Sequence, residues 1–153
     1  MQRINRVINP YLILPAIAIV LLAGAQVRNG GALGSITSSE IEQTLNQRLD
    51  DYERRHLTDE KLAKIHTLAL TDPDKLSESD RQTYVDYERM FFSGWEAAWK
   101  YQASGQFEKN RYKVWDTLFI EESNRRPPFS WTENKDQFSD GFVRHVEAAM
   151  SRH

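Results

Sequence analysis

The chain has 153 residues, 40% of them hydrophobic and 27% charged, a balance that suits one folded domain and argues against wholesale disorder. A net charge of −2 provides no cationic footprint for nucleic acid, and the lack of cysteine removes disulfides, thiolate metal sites and c-type haem attachment. The missing cysteines do not select a redox compartment, since oxidising and reducing surroundings would both tolerate such a chain.

Residues 7–27 read VINPYLILPAIAIVLLAGAQV, without a charge and with Arg3 and Arg6 just before them. As a helix this stretch would rise about 31 Å, close to the hydrocarbon thickness of a bilayer. Its most apolar part runs from Leu12 to Ala25 and includes Leu21 and Leu22. Tyr11 stands where an amphipathic ring would mark the interface, and Pro15 would kink a helix that membrane surroundings tolerate. The expectation is therefore a membrane anchor over residues 1–27, with Tyr11, Leu12, Pro15, Leu21 and Leu22 in contact with lipid. The alternative is a cleaved export signal, because Ala23-Gly24-Ala25 after an apolar stretch also suits a cleavage site. Both readings keep Arg3 and Arg6 in the cytoplasm and export the rest. Setting those two arginines aside leaves 18 basic residues against 22 acidic, a net of −4 for the exported part.

Residues 28–36 form a short glycine-containing linker, spanning at most about 30 Å of extended chain. A helix is expected to begin near Thr37, where Thr37-x-x-Glu40 has capping-box spacing. Ile41, Leu45, Leu49, Tyr52 and His56 follow on one face, and Leu62, Ile65, Leu68 and Ala69 resume the stripe after a break expected around Leu57-Thr58-Asp59. Pro73 stops it. A second helix, capped by Ser77 or Ser79 and ending at Gly105, presents Tyr84, Phe91, Trp95, Ala98 and Trp99, widened by Met90 and Phe92, and is expected to be the most buried. A third, near residues 107–122, carries Phe107, Val114, Trp115, Leu118 and Phe119. After Trp131 a last helix presents Phe138, Phe142, Val146 and Met150. Nothing alternates with a period of two. The fold expected over residues 37–153 is all-α, an antiparallel bundle of about four helices with an aromatic core.

Chemistry-bearing motifs are sparse. His56, His66, His145 and His153 form no His-x-x-x-His pair, and Glu53-x-x-His56 is a single copy of a motif that di-iron bundles need twice. His56 reads as a hydrogen-bonded structural residue on an apolar stripe. Glu88 and Glu96 on the aromatic helix, with Glu121 and Glu122 at the end of the third, match no catalytic pattern. Gly30-Gly31-x-x-Gly34 follows no strand and lacks a phosphate-loop lysine. No catalytic, cofactor or metal residue is therefore nominated, and the chain is not expected to be an enzyme.

The most unusual segment is Asn124-Arg125-Arg126-Pro127-Pro128-Phe129-Ser130-Trp131. Arginine and tryptophan are enriched in interface anchors, and a double proline lowers the cost of ordering. Arg125, Arg126, Pro127, Pro128, Phe129 and Trp131 are thus candidate partner-binding residues. In the competing reading the segment is a connector, with Phe129 and Trp131 plugging the bundle and the arginines pairing with acids. Phe91, Trp95, Trp99 and Trp115 pose a similar choice between ligand pocket and packed core.

The run from Arg81-Gln82-Thr83-Tyr84 through Trp95, Trp99, Gly105 and Trp115 to Trp131 and Phe142 resembles a loose bacterial group of small helical proteins, many with one amino-terminal span. The resemblance covers about residues 62–150. It implies a bundle and a bacterial origin, hence an inner-membrane protein with its domain in the periplasm, and transfers no catalytic residue. The expected role is a single-pass accessory or structural subunit that docks its exported bundle on a larger membrane protein complex. The alternative is a periplasmic module that binds a small ligand among its tryptophans.

Overall fold

A computed structural model of the protein describes residues 36–151. The expected anchor residues Tyr11, Leu12, Pro15, Leu21 and Leu22 lie outside the described residues. No described helix is long and apolar enough to cross a membrane.

The first helix, α1 (Ser38–Thr58), starts on the expected capping box. Thr37 Oγ1 accepts from the Glu40 amide at 3.3 Å, and the Glu40 carboxylate takes the Thr37 amide at 2.8 Å. The break falls on one residue, Asp59. Its extended backbone ends α1 while its carboxylate accepts from the Leu62 amide at 3.0 Å, capping α2 (Glu60–Thr71). A side chain that bonds the next helix's free amides offers the backbone an alternative to continuing the first helix.

Pro73 opens a 3-10 turn, Pro73–Lys75, and Ser77 then caps α3 (Glu78–Ala103), accepting from the Asp80 amide at 3.1 Å. Gly105, at φ +75°, supplies the left-handed residue that turns the chain after α3. It leads into α4 (Lys109–Ser123). From there the structure departs from the expected single loop and final helix. Pro127 and Pro128 start a short helix, α5 (Phe129–Thr132), because a proline's fixed φ suits a first turn that needs no amide donor. A 3-10 turn follows at Lys135–Gln137, and Phe138 is extended, so the last helix, α6 (Asp140–Met150), begins later than its apolar stripe implies. Among the described residues there are thus six α-helices and no strand, against the expected four, because one helix divides at Asp59 and the double proline nucleates another.

α3 is the centre. Tyr84, Phe91, Phe92, Trp95 and Ala98 are buried on it as its sequence implies, Val85 and Tyr87 are buried beside them, and Met90 and Trp99 are only half-buried. α1 runs opposite to α3, since Tyr52 meets Phe91 while His56 meets Tyr87. α4 also opposes α3, with Phe119 stacked on Trp95 at 5.8 Å. α6 sets Phe142 edge-on to Trp95 at 5.7 Å. Trp131 fills the α5 end, 5.0 Å from Phe92 and stacked on Phe138 at 5.9 Å. Each such ring pair adds about 0.5–1.5 kcal/mol beyond its buried area. These contacts hold together helices that would be marginal in isolation.

Candidate functional site

One polar group sits in the middle of the aromatic face. Glu88 follows Tyr84 by four residues and precedes Phe91 by three, so helical geometry carries it inward with them, and it is fully buried. A carboxylate in that position needs a cation and satisfied lone pairs. Arg126, from the α4–α5 connection, brings Nε to 2.5 Å from one carboxylate oxygen. Tyr52 on α1 donates its hydroxyl to the other at 2.8 Å and accepts from the Arg126 guanidinium at 3.1 Å. Arg126 Nη1 donates to the Glu122 carbonyl. The guanidinium carbon lies 3.7 Å over the Phe91 ring. Burial holds the Tyr52 hydroxyl well above the usual tyrosine range, so it stays a neutral donor.

The network continues along α1. Tyr52 stacks on Tyr87 at 4.4 Å, and the Tyr87 hydroxyl reaches the Tyr52 carbonyl at 3.2 Å and His56 Nδ1 at 2.8 Å. His56 is therefore a hydrogen-bonded residue of the apolar stripe, as read from the sequence. Its ring stacks on that of His66 from α2, with centroids 4.7 Å apart. Burial lowers both imidazoles, that of His66 to about 4 with His56 and Arg126 adding to the effect.

A second polar cluster joins α3, α4 and α6. One Asp116 oxygen accepts from Trp95 Nε1 at 2.8 Å, from His145 Nε2 at 2.7 Å and from the Tyr112 hydroxyl at 3.0 Å. Burial pushes this carboxyl up, but the bonds from His145, Trp95 and Tyr112 outweigh it, and the group titrates below its ordinary value. The arrangement pins three helices at one point. Among the described residues no three His, Asp or Glu side chains converge to hold a metal ion.

The nominated segment divides in two. Arg126, Pro127 and Trp131 face inward, Trp131 at 4% exposure and Arg126 within the Glu88 network. Arg125 and Pro128 are exposed and Phe129 is half-buried. Arg125 pairs with Glu122 at 2.5 Å. The Arg81 guanidinium lies 3.9 Å over the Phe129 ring while it binds Glu133. Trp95 and Trp115 are buried against Phe119, and Trp99 lies over Gly141 beside Phe142. Those tryptophans are packed against protein.

Sequence reasoning identified Glu88 only as a residue of the aromatic helix, although its i+4 spacing from Tyr84 was a usable signal of burial. The meeting of His56 with His66, and of Asp116 with His145, has no such signal, because each depends on how two helices turn toward each other. Compared with models of known families, with curated proteins and with solved structures, the chain finds no match.

Proposed function

We propose that the chain is an accessory or structural subunit whose helical domain docks on a larger membrane protein complex, tethered to the bacterial inner membrane by its amino-terminal apolar segment and exposed to the periplasm. The observation that supports this reading most is the build of the α4–α5 connection. Arg126, Pro127 and Trp131 fix it from inside, while Arg125 and Pro128 stand at its surface and Phe129 borders them, half-buried between Tyr84 and Arg81. A surface fixed before binding loses little freedom on docking, and arginine and aromatic side chains are the usual anchors. The refined docking surface is thus Arg125, Pro128 and Phe129 with the neighbouring Arg81, and the other three nominated residues act by holding it.

The test is site-specific photo-crosslinking in native membranes. A crosslinker at position 125 or 128 is expected to capture a discrete membrane protein, and one at Lys113, on the exposed side of α4, is not. Arg125→Glu is expected to weaken co-purification at least about tenfold, the loss of one interface anchor, with an unchanged helical signal. Equal crosslinking at all three positions, or none at 125 and 128, would remove the docking surface.

A further inference from the structure

α2 is attached to the bundle by a narrow apolar face, Leu62, Ile65 and Ala69, by the His66 ring against His56, Tyr84 and Tyr87, and by the exposed Lys61–Asp80 pair. His56 closes α1 and His66 lies on α2, so the two residues stand on either side of the Asp59 joint. Their rings are nearly parallel, 19° apart in plane at a centroid separation of 4.7 Å. Tyr87 meets both edge-on, at 5.9 Å from His56 and 5.8 Å from His66, and Tyr84 lies 5.9 Å from His66. The Tyr87 hydroxyl has one proton. When it goes to the Tyr52 carbonyl, His56 Nδ1 must carry the proton of their shared bond, which leaves Nε2 of the neutral ring bare.

Neutral imidazoles stack as other aromatic rings do, whereas two imidazolium ions in that position repel. The surrounding charges offer little relief. Glu88 on α3 would attract the His56 charge, but Arg126 from the α4–α5 connection already engages it and itself opposes a charge on His66. Tyr52 on α1 and Tyr84 and Tyr87 on α3 are neutral phenols held above their usual range by burial. Glu53 on α1 is half-buried, and burial together with Asp50 and Glu122 raises its carboxyl, so it loses charge early as the pH falls. On α2 itself Lys64 pairs outward with Glu60, and Lys61 with Asp80 of α3.

We propose that the His56–His66 stack is an acid-operated latch: the neutral rings hold α2 on the bundle, and protonation of the pair releases α2 and uncovers the face made by Leu62, Ile65 and Ala69. Release returns the imidazoles to water and to ordinary basicity, so uptake of protons and opening are linked and each promotes the other. Glu88–Arg126 and the α3–α4–α6 contacts do not include α2, so opening is local.

Hydrogen exchange read by mass spectrometry tests this on the full chain in mild detergent, at about pH 7.5 and about pH 4.5, either side of the ordinary histidine range. After correction for intrinsic rates, residues 60–71 are expected to lose protection on the order of tenfold at the lower pH relative to α6. His66→Phe keeps a stacking ring that takes no proton, and His56→Gln keeps a donor to Tyr87 without an imidazole. Each is expected to retain α2 protection at the lower pH, with α6 protection reporting that the variant is folded. Equal wild-type protection of α2 at both pH values, or acid loosening that persists in both variants, would overturn the latch.

Discussion

Arg126→Met leaves the Glu88 carboxylate buried without its cation and removes one hydrogen bond from Tyr52. Breaking a buried pair in this way costs about 3–5 kcal/mol, whereas replacing both partners with apolar residues of similar volume is close to neutral. Glu88 is fully buried and Arg126 is 9% exposed by side chain, so solvent screening does little to soften the single change. A domain of this size is stable by roughly 5–15 kcal/mol, so the single variant remains folded but sits near the edge. Glu88→Leu is expected to cost about 2–4 kcal/mol, because it strands the guanidinium instead. The double variant is expected to be no worse than about 1–2 kcal/mol below wild type, less than either single change. Urea unfolding followed by far-UV circular dichroism reads all four corners of the cycle. Single variants that each cost under about 1 kcal/mol, with a double variant equal to their sum, would refute the reasoning that this pair is desolvated and mutually dependent.

Four further outcomes follow from the geometry. A Cβ at Gly141 would lie 2.7 Å from the Trp99 ring, so Gly141→Ala should destabilise by about 1–2 kcal/mol and shift tryptophan fluorescence. A Cβ at Gly94 would meet Phe119 at an ordinary 3.7 Å, so Gly94→Ala should gain up to about 1 kcal/mol of helix propensity; the same sign for both would contradict the packing described. Asp116→Leu should cost about 1–3 kcal/mol by stranding the Trp95 indole N–H and leaving the Tyr112 hydroxyl only the His145 ring, and a loss under about 0.5 kcal/mol in urea unfolding would show that those bonds do not form. The lowered imidazoles of His56 and His66 make the neutral rings the folded form, so their contribution is complete above pH 6.5 and is lost as the pH falls toward about 4. Wild type should therefore lose about 1–2 kcal/mol relative to His66→Phe over that window, after discounting for partial exposure, and a gain would reverse the sign.

Local signals in the chain specify most of the helices. Thr37, Ser77 and Gly105 mark boundaries with side-chain or backbone chemistry that acts within a few residues, and the structure uses all three. Asp59 is of the same kind: the stripe left a bend or a break open around Leu57-Thr58-Asp59, and the Asp59 carboxylate makes the break. Pro127-Pro128 reads as part of a rigid segment or connector, yet prolines also suit a first helical turn, and only the packing of Trp131 into the core decides for α5. The candidate surface was legible as a segment but not by side. Arg125 and Arg126 are adjacent and chemically alike, and which one turns inward depends on a carboxylate 38 residues earlier. For the same reason Glu88 could be named from its spacing, while its partner could not.

The most direct measurement of the central reading is intact mass and composition of the particle extracted from native membranes in mild detergent. Retention of the apolar amino terminus is expected, with other membrane proteins present at fixed ratio that fall away when Arg125 is changed to Glu. A chain that begins after the apolar segment and migrates as a clean monomer would contradict both the anchor and the subunit.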